Sequence, residues 1–206
     1  MLLTQNSNLK RDGIWNWTLP AWVVELPDGG HVNVCPSAGA CAKFCYARNG
    51  TYLFPNVRAK HMANLLLVRD DPRWVDAMCE ELSARRFRPT GTPRVVPGLG
   101  DTSHLPDEVQ EWLAQGGKAV RVHDAGDYFD AAYLNGWFTV ARAFPDVLFY
   151  SYTKRVAMLR AWGHTAPSNF LWLLSMGARR TPSSTGTRSG TRTCSRRWRR
   201  WRLPGT

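Results

Sequence analysis

From Lys118 onward the chain alternates between two hydrophobic rhythms. "KAVRVH" (118–123) is a short β-rich run that ends in the polar "DAGD". "DAAYLNGWFTVARAFP" (130–145) then shows helical spacing, with Asp130 placed to cap it. "DVLFYSYTK" reads as a second strand, "RVAMLRAWG" as a second helix and "NFLWLLSMG" as a third strand. Strand–helix–strand–helix–strand predicts parallel pairing through right-handed crossovers. The strands end in polar residues: His123, Asp124 and Asp127 after the first, Tyr152, Thr153 and Lys154 at the second, Ser175 at the third. Parallel α/β folds bind ligands at the carboxyl ends of their strands, so these residues are expected on one face.

The amino half is less regular. "GIWNWTLPAWVVEL" (13–26) is close to alternation and reads as one or two early strands or a hairpin. "NVRAKHMANLLLV" (56–68) has helical spacing, with Pro55 just ahead of it. "DPRWVDAMCEELSARR" (71–86) is a clearer helix, with Asp71 as N-cap, Pro72 at the first helical position and Trp74, Val75, Met78, Cys79 and Leu82 on one face. "FRPTGTPRVVPGLGDTSH" (87–104) is a Pro- and Gly-rich loop, and "LPDEVQEWLAQGG" (105–117) a short helix stopped by glycines.

Length narrows the architecture. The chain has 206 residues, and only 1–177 carry globular patterning. A complete eight-unit barrel takes about 250. The expectation is one α/β domain over 1–177, a parallel sheet resembling an incomplete TIM barrel, with a cysteine loop near its N-terminus. Ten tryptophans call for a core or groove built from large flat side chains.

Charge changes the picture at one end. The formal net charge is +11, but the segment 178–206 holds nine arginines and no acid, which leaves 18 basic against 16 acidic groups in residues 1–177. The basicity belongs to the tail. That tail is rich in Arg, Ser, Thr, Gly and Trp and lacks periodicity. It reads as a disordered basic arm or as out-of-frame translation of a GC-rich gene, and no role is assigned to Cys194. Nucleic acid is therefore expected to bind, if at all, only through the tail. No run of about 20 apolar residues predicts a membrane span, and the first residues lack a secretory pattern. The expected location is a reducing cytoplasm, where clustered cysteines hold metal or do redox chemistry more often than they form disulfides.

One cluster fits that description. In "VCPSAGACAKFCYARNG" (34–50), Cys35, Cys41 and Cys45 read C-x5-C-x3-C. Thiolates favour zinc or iron–sulfur clusters. Structural zinc wants four ligands, usually as two close pairs, and this triplet has no second pair. A four-iron cluster held by three cysteines, with one iron open to an outside ligand, suits the triplet better. The ordinary alternative is packing, since cysteine is often a small buried hydrophobe. Packing is the expectation for Cys79, and a turn-exposed side chain for His31. The strand-end residues have ordinary alternatives as well: Asp127 as a cap, His123 as a hydrogen-bonded core residue, Lys154 as a solvated helix start. Taken together at successive strand ends, His123, Asp124, Gly126, Asp127, Thr153 and Lys154 are the candidate cofactor- or substrate-binding set, with Lys154 the natural partner for an anion.

"NSNLKRDGIWNWTLP", "CPSAGACAKFCYARNG", "RVHDAGDYFDAAYLNGW", "FYSYTK" and "PSNFLWLLSMG", in this order over residues 6–177, resemble the phage gene product 88 proteins. The cysteine loop ending in "CYA", followed by strands ending in Gly-Asp and Thr-Lys, is also similar to radical S-adenosylmethionine proteins. That resemblance implies a [4Fe-4S] cluster on Cys35, Cys41 and Cys45 and S-adenosylmethionine at its open iron. The spacing differs from the usual C-x3-C-x2-C of that class. Three functions follow as expectations: a radical-SAM-like enzyme in the host cytoplasm acting on a small molecule; a non-catalytic iron–sulfur protein binding a host or phage protein; and a zinc-containing nucleic-acid module, which the near-neutral folded part favours least.

Overall fold

A computed structural model describes residues 1–175. Four strands form the main sheet: β1 (Ile14–Trp17), β4 (Ala119–Val122), β5 (Leu148–Thr153) and β6 (Phe170–Leu174), side by side in that order and all parallel. Register is set by pairs such as Trp17 with Val122, Val122 with Ser151, and Ser151 with Trp172. The predicted parallel pairing is present. The early segment behaves differently from the hairpin reading: β1 joins the sheet beside a strand about a hundred residues away. The hairpin is made instead by β2 (Val23–Glu25) and β3 (His31–Asn33), paired antiparallel with His31 exposed.

Seven helices accompany the strands among the described residues: α1 (Ser7–Arg11), α2 (Cys41–Phe44), α3 (Pro55–Asp70), α4 (Trp74–Ser83), α5 (Asp107–Ala114), α6 (Ala131–Ala143) and α7 (Val156–Trp162). Asp130 caps α6 as predicted, its carboxylate accepting the Tyr133 N–H at 2.7 Å. Asp71 does not cap α4. It closes the preceding turn, accepting the Arg73 N–H at 2.8 Å, and the helix begins at Trp74, because Pro72 and Arg73 are used in that turn.

Both faces of the sheet are covered, so its strands read as buried runs rather than as alternation. On one face Trp15, Trp17, Val120, Val122, Phe149 and Phe170 meet Trp74 and Met78 of α4 and Leu134, Trp137 and Phe138 of α6. On the other, Ile14, Ala119, Leu148 and Tyr150 meet Val109 and Leu113 of α5, with Val96 and Leu105 from the long loop. Each large apolar side chain buried this way contributes about 1.5–3 kcal/mol. In a barrel that second face would line the interior. Here a helix and a loop fill it, and the described strands form an open sheet with β1 and β6 at its edges. The β1 edge is covered by the N-terminal arm: Thr4 and Asn16 exchange backbone hydrogen bonds at 2.9 and 2.8 Å, and the Leu3 N–H donates to buried Glu81.

Candidate metal centre and strand-end cleft

Parallel strands put their carboxyl ends on one edge, and that edge carries the cysteine loop. The turn after β4 is tied to the end of β1, since the Trp17 carbonyl accepts the N–H groups of both His123 (3.0 Å) and Asp124 (3.2 Å). It is tied to the hairpin as well, through the Asp127 N–H and the Val34 carbonyl (3.1 Å). Gly126 makes this approach possible. Its φ is +83°, and a Cβ there would stand 2.6 Å from Leu19 Cβ and 3.3 Å from the Pro20 oxygen. The cysteine loop starts two residues past β3. The Cys35 N–H donates to Asn33 Oδ1, and the Trp22 N–H donates to Cys35 Sγ at 3.3 Å. Trp22 makes that bond from a left-handed backbone (φ +64°), a conformation rare for a bulky residue.

The result is a cleft of about 650 Å³. Cys35, Cys41 and Cys45 line it together with His123, Asp124, Gly126, Asp127 and Lys154. Of the predicted set only Thr153 is absent from the lining. It is buried underneath, where its hydroxyl donates to Asp127 Oδ1 at 2.5 Å and accepts the Arg155 N–H at 3.0 Å. Asp127 is 5 % exposed and also accepts from the N–H groups of Tyr128 and Lys154. Burial pushes its carboxyl upward, and these hydrogen bonds oppose that shift. Lys154 extends its ammonium to Ser175 Oγ at 2.9 Å.

His123 lines the cleft but is 2 % exposed, with Nε2 at 2.8 Å from the Tyr133 hydroxyl. That hydroxyl also accepts from Trp17 Nε1. Burial holds the imidazole pKa down at about 3, so the ring is neutral. His123 is therefore a hydrogen-bonded core residue at the cleft floor.

Burial pushes the Cys35 thiol up to about 12 and the Cys45 thiol upward, and the neighbouring thiols add to both shifts. Among the described residues no three His, Cys, Asp or Glu side chains are placed to hold a single metal ion. The half-buried Cys79 of α4 packs against the core, and Cys194 lies outside the described residues.

Two residues of the cleft, Arg121 and Tyr46, and one beside it, Tyr52, were missed by sequence reasoning. Arg121 projects from the middle of β4, bonds Asp124 Oδ1 at 3.0 Å and lies 5.2 Å from the ring centroid of Tyr152. Tyr52 donates to Asp124 Oδ2, and Tyr46 to the Asp124 carbonyl. The one sequence signal was the position of Tyr46, directly after the last cysteine of the triplet.

The fold and cleft define an α/β protein with a thiol-walled pocket at the carboxyl edge of a parallel sheet. The family model described as Gene product 88 matches residues 1–195, and the chain belongs to that family of bacteriophage proteins. No curated protein and no solved structure matches it. No helix of the described residues is long and apolar enough to cross a membrane.

Proposed function

We propose that the protein holds a [4Fe-4S] cluster on Cys35, Cys41 and Cys45 and works as a radical-SAM-like enzyme in the reducing cytoplasm of the phage host. One observation carries this reading: the three cysteines and the strand-end residues His123, Asp124, Gly126, Asp127 and Lys154 border the same cleft. Its volume of about 650 Å³ falls within the range of small-molecule sites, roughly 300–1,000 Å³. Each thiolate of a four-iron cluster binds a different iron, so the three cysteines need not gather around one ion. The spatial order of the strands, β1-β4-β5-β6, follows their order in the chain, as in a segment of a barrel and unlike a sheet whose order reverses.

Such a cluster supplies single electrons and, with one iron open, a seat for S-adenosylmethionine. The chain's own residues do the rest. The Trp22 N–H donates to Cys35 Sγ and stabilises its thiolate. Asp127 pins the end of β5 through Thr153 and Lys154, fixing the cleft floor. Arg121 and Lys154 offer positive charge to a bound anion. A second reading, a non-catalytic iron–sulfur protein that docks a protein partner, draws on the exposed Phe44, Leu53 and Phe54 around the loop.

Anaerobic reconstitution with iron and sulfide, followed by EPR of the reduced protein, tests the proposal. A four-iron signal that shifts on adding S-adenosylmethionine is expected. A signal indifferent to it supports the second reading, and zinc retained without any iron signal overturns both.

A further inference from the structure

The near-neutral balance of the folded part conceals a segregation of charge. No acidic residue occurs between Gly29 and Arg69, a span that holds the whole cysteine loop together with Lys43, Arg48, Arg58, Lys60 and Arg69. None occurs from Val147 to Ser175 either, a span that holds Lys154, Arg155 and Arg160. Both segments contribute lining to the cleft, the first through Cys35, Cys41, Cys45 and Tyr46, the second through Tyr150, Tyr152, Lys154 and Ser175. Among the described residues, Lys43, Arg48, Lys154, Arg155 and Arg160 take part in no salt bridge with a carboxylate. The acids that do border the cleft are already engaged: Asp12 by Arg11, Asp124 by Arg121 and Tyr52, Asp127 by its three donors.

The cleft also continues. A second cavity of about 520 Å³ runs between the cysteine loop and α7, with Lys154 and Arg160 on its wall. Trp22, Cys35 and Lys154 border both cavities, which therefore adjoin as one groove. Trp22 stands where they meet, 38 % exposed, with the Arg48 guanidinium 4.7 Å from its ring centroid. Proteins that bind single strands combine a cationic groove along the backbone with aromatic faces on which bases stack.

We propose that the substrate of this site is a single-stranded nucleic acid, with a base stacked on Trp22 and phosphates along Lys154 and Arg160. This rests on the reading of the cleft as an active site and names its substrate class. A base entering the cleft would lie against the cysteine wall while the strand leaves through the groove beside α7.

The test uses the full chain, whose nine arginines in 178–206 would attract any polyanion, so the readout must separate groove from tail. Binding of a fluorescein-labelled mixed-sequence single strand of RNA or DNA is followed by anisotropy across a salt series. Arg160→Gln is expected to lower the steepness of the log K–log salt plot by about 0.7. Trp22→Ala is expected to weaken binding about fivefold or more with the slope unchanged. UV crosslinking to a thiouridine-containing strand should label peptides within residues 22–48 and 154–162. Crosslinks confined to 178–206, with slopes and affinities equal to wild type, overturn the proposal. So does a groove-dependent preference for an acidic peptide or anionic vesicles over the single strand. Iron content is measured on the same samples. Groove-dependent binding by a protein that takes up no cluster keeps this assignment and removes the iron–sulfur reading; a cluster without such binding does the reverse.

Discussion

His123 shows how a residue can sit at a ligand site and still be made for the core. It turns the chain at the end of β4 with φ +71°, and its ring is enclosed by Tyr128 and Tyr133. Burial without a charged partner holds its pKa down at about 3, against 6.5 for a free histidine. Above pH 6.5 both folded and unfolded chains carry it neutral, and it has no effect. Between about 6.5 and 3 the unfolded chain takes up a proton that the folded one refuses, so stability falls as pH falls, by about 1.4 kcal/mol per unit. His61, also held below its ordinary value by burial, adds in the same direction. Asp127, pushed up, works the opposite way at lower pH. Urea midpoints at about pH 7 and pH 5 should therefore drop for the wild type and drop clearly less for His123→Gln. Equal drops in both would remove His123 as the cause.

At the scale of elements, α6 depends on one neighbour more than its sequence reveals. Gly136 lies mid-helix, where glycine costs about 1 kcal/mol relative to alanine. A Cβ there would lie 2.0 Å from Cζ2 of Trp74, so the absent side chain is what lets α4 close onto α6. Gly136→Ala is expected to destabilise by about 1–3 kcal/mol, because the overpacking outweighs the gain in helix propensity. Thermal unfolding checks it, and an unchanged or raised midpoint would show that Trp74 can swing away. The helix itself was legible, since its period and the Asp130 cap are local. β1 was legible as an early strand, but its place was not: its four residues are all buried and its sheet partner lies about a hundred residues on, so no local rhythm distinguishes a sheet strand from a hairpin arm. The start of α4 was misplaced because an Asp-Pro pair can open a helix or close the turn before it, and here Asp71 does the latter.

Taken whole, the molecule is a sheet with a cysteine loop fastened over one edge. The parts of the site were legible where chemistry is concentrated in a short motif, as in Cys35, Cys41 and Cys45, or repeats at strand ends, as in Asp127 and Lys154. The fastening was not, because it pairs residues 72 and 78 positions apart. Tyr46 and Tyr52 reach from the loop to Asp124, which Arg121 holds from the other side. Their rings also pack edge to face at 5.6 Å. Backbone turns within 35–49 give the loop a shape of its own, but these two hydroxyls fix where that shape sits relative to the sheet. A hydrogen bond to a charged group contributes about 1.5–3 kcal/mol, so freeing the loop should raise the population of its open state about tenfold or more. The variant Tyr46→Phe/Tyr52→Phe keeps both rings and removes both donors. Amide exchange in residues 35–54 should then accelerate by that factor while β4, β5 and β6 keep wild-type protection. Unchanged exchange would mean that the loop's turns and the Trp22–Cys35 bond suffice, and that the cysteine wall keeps its place without the tyrosines.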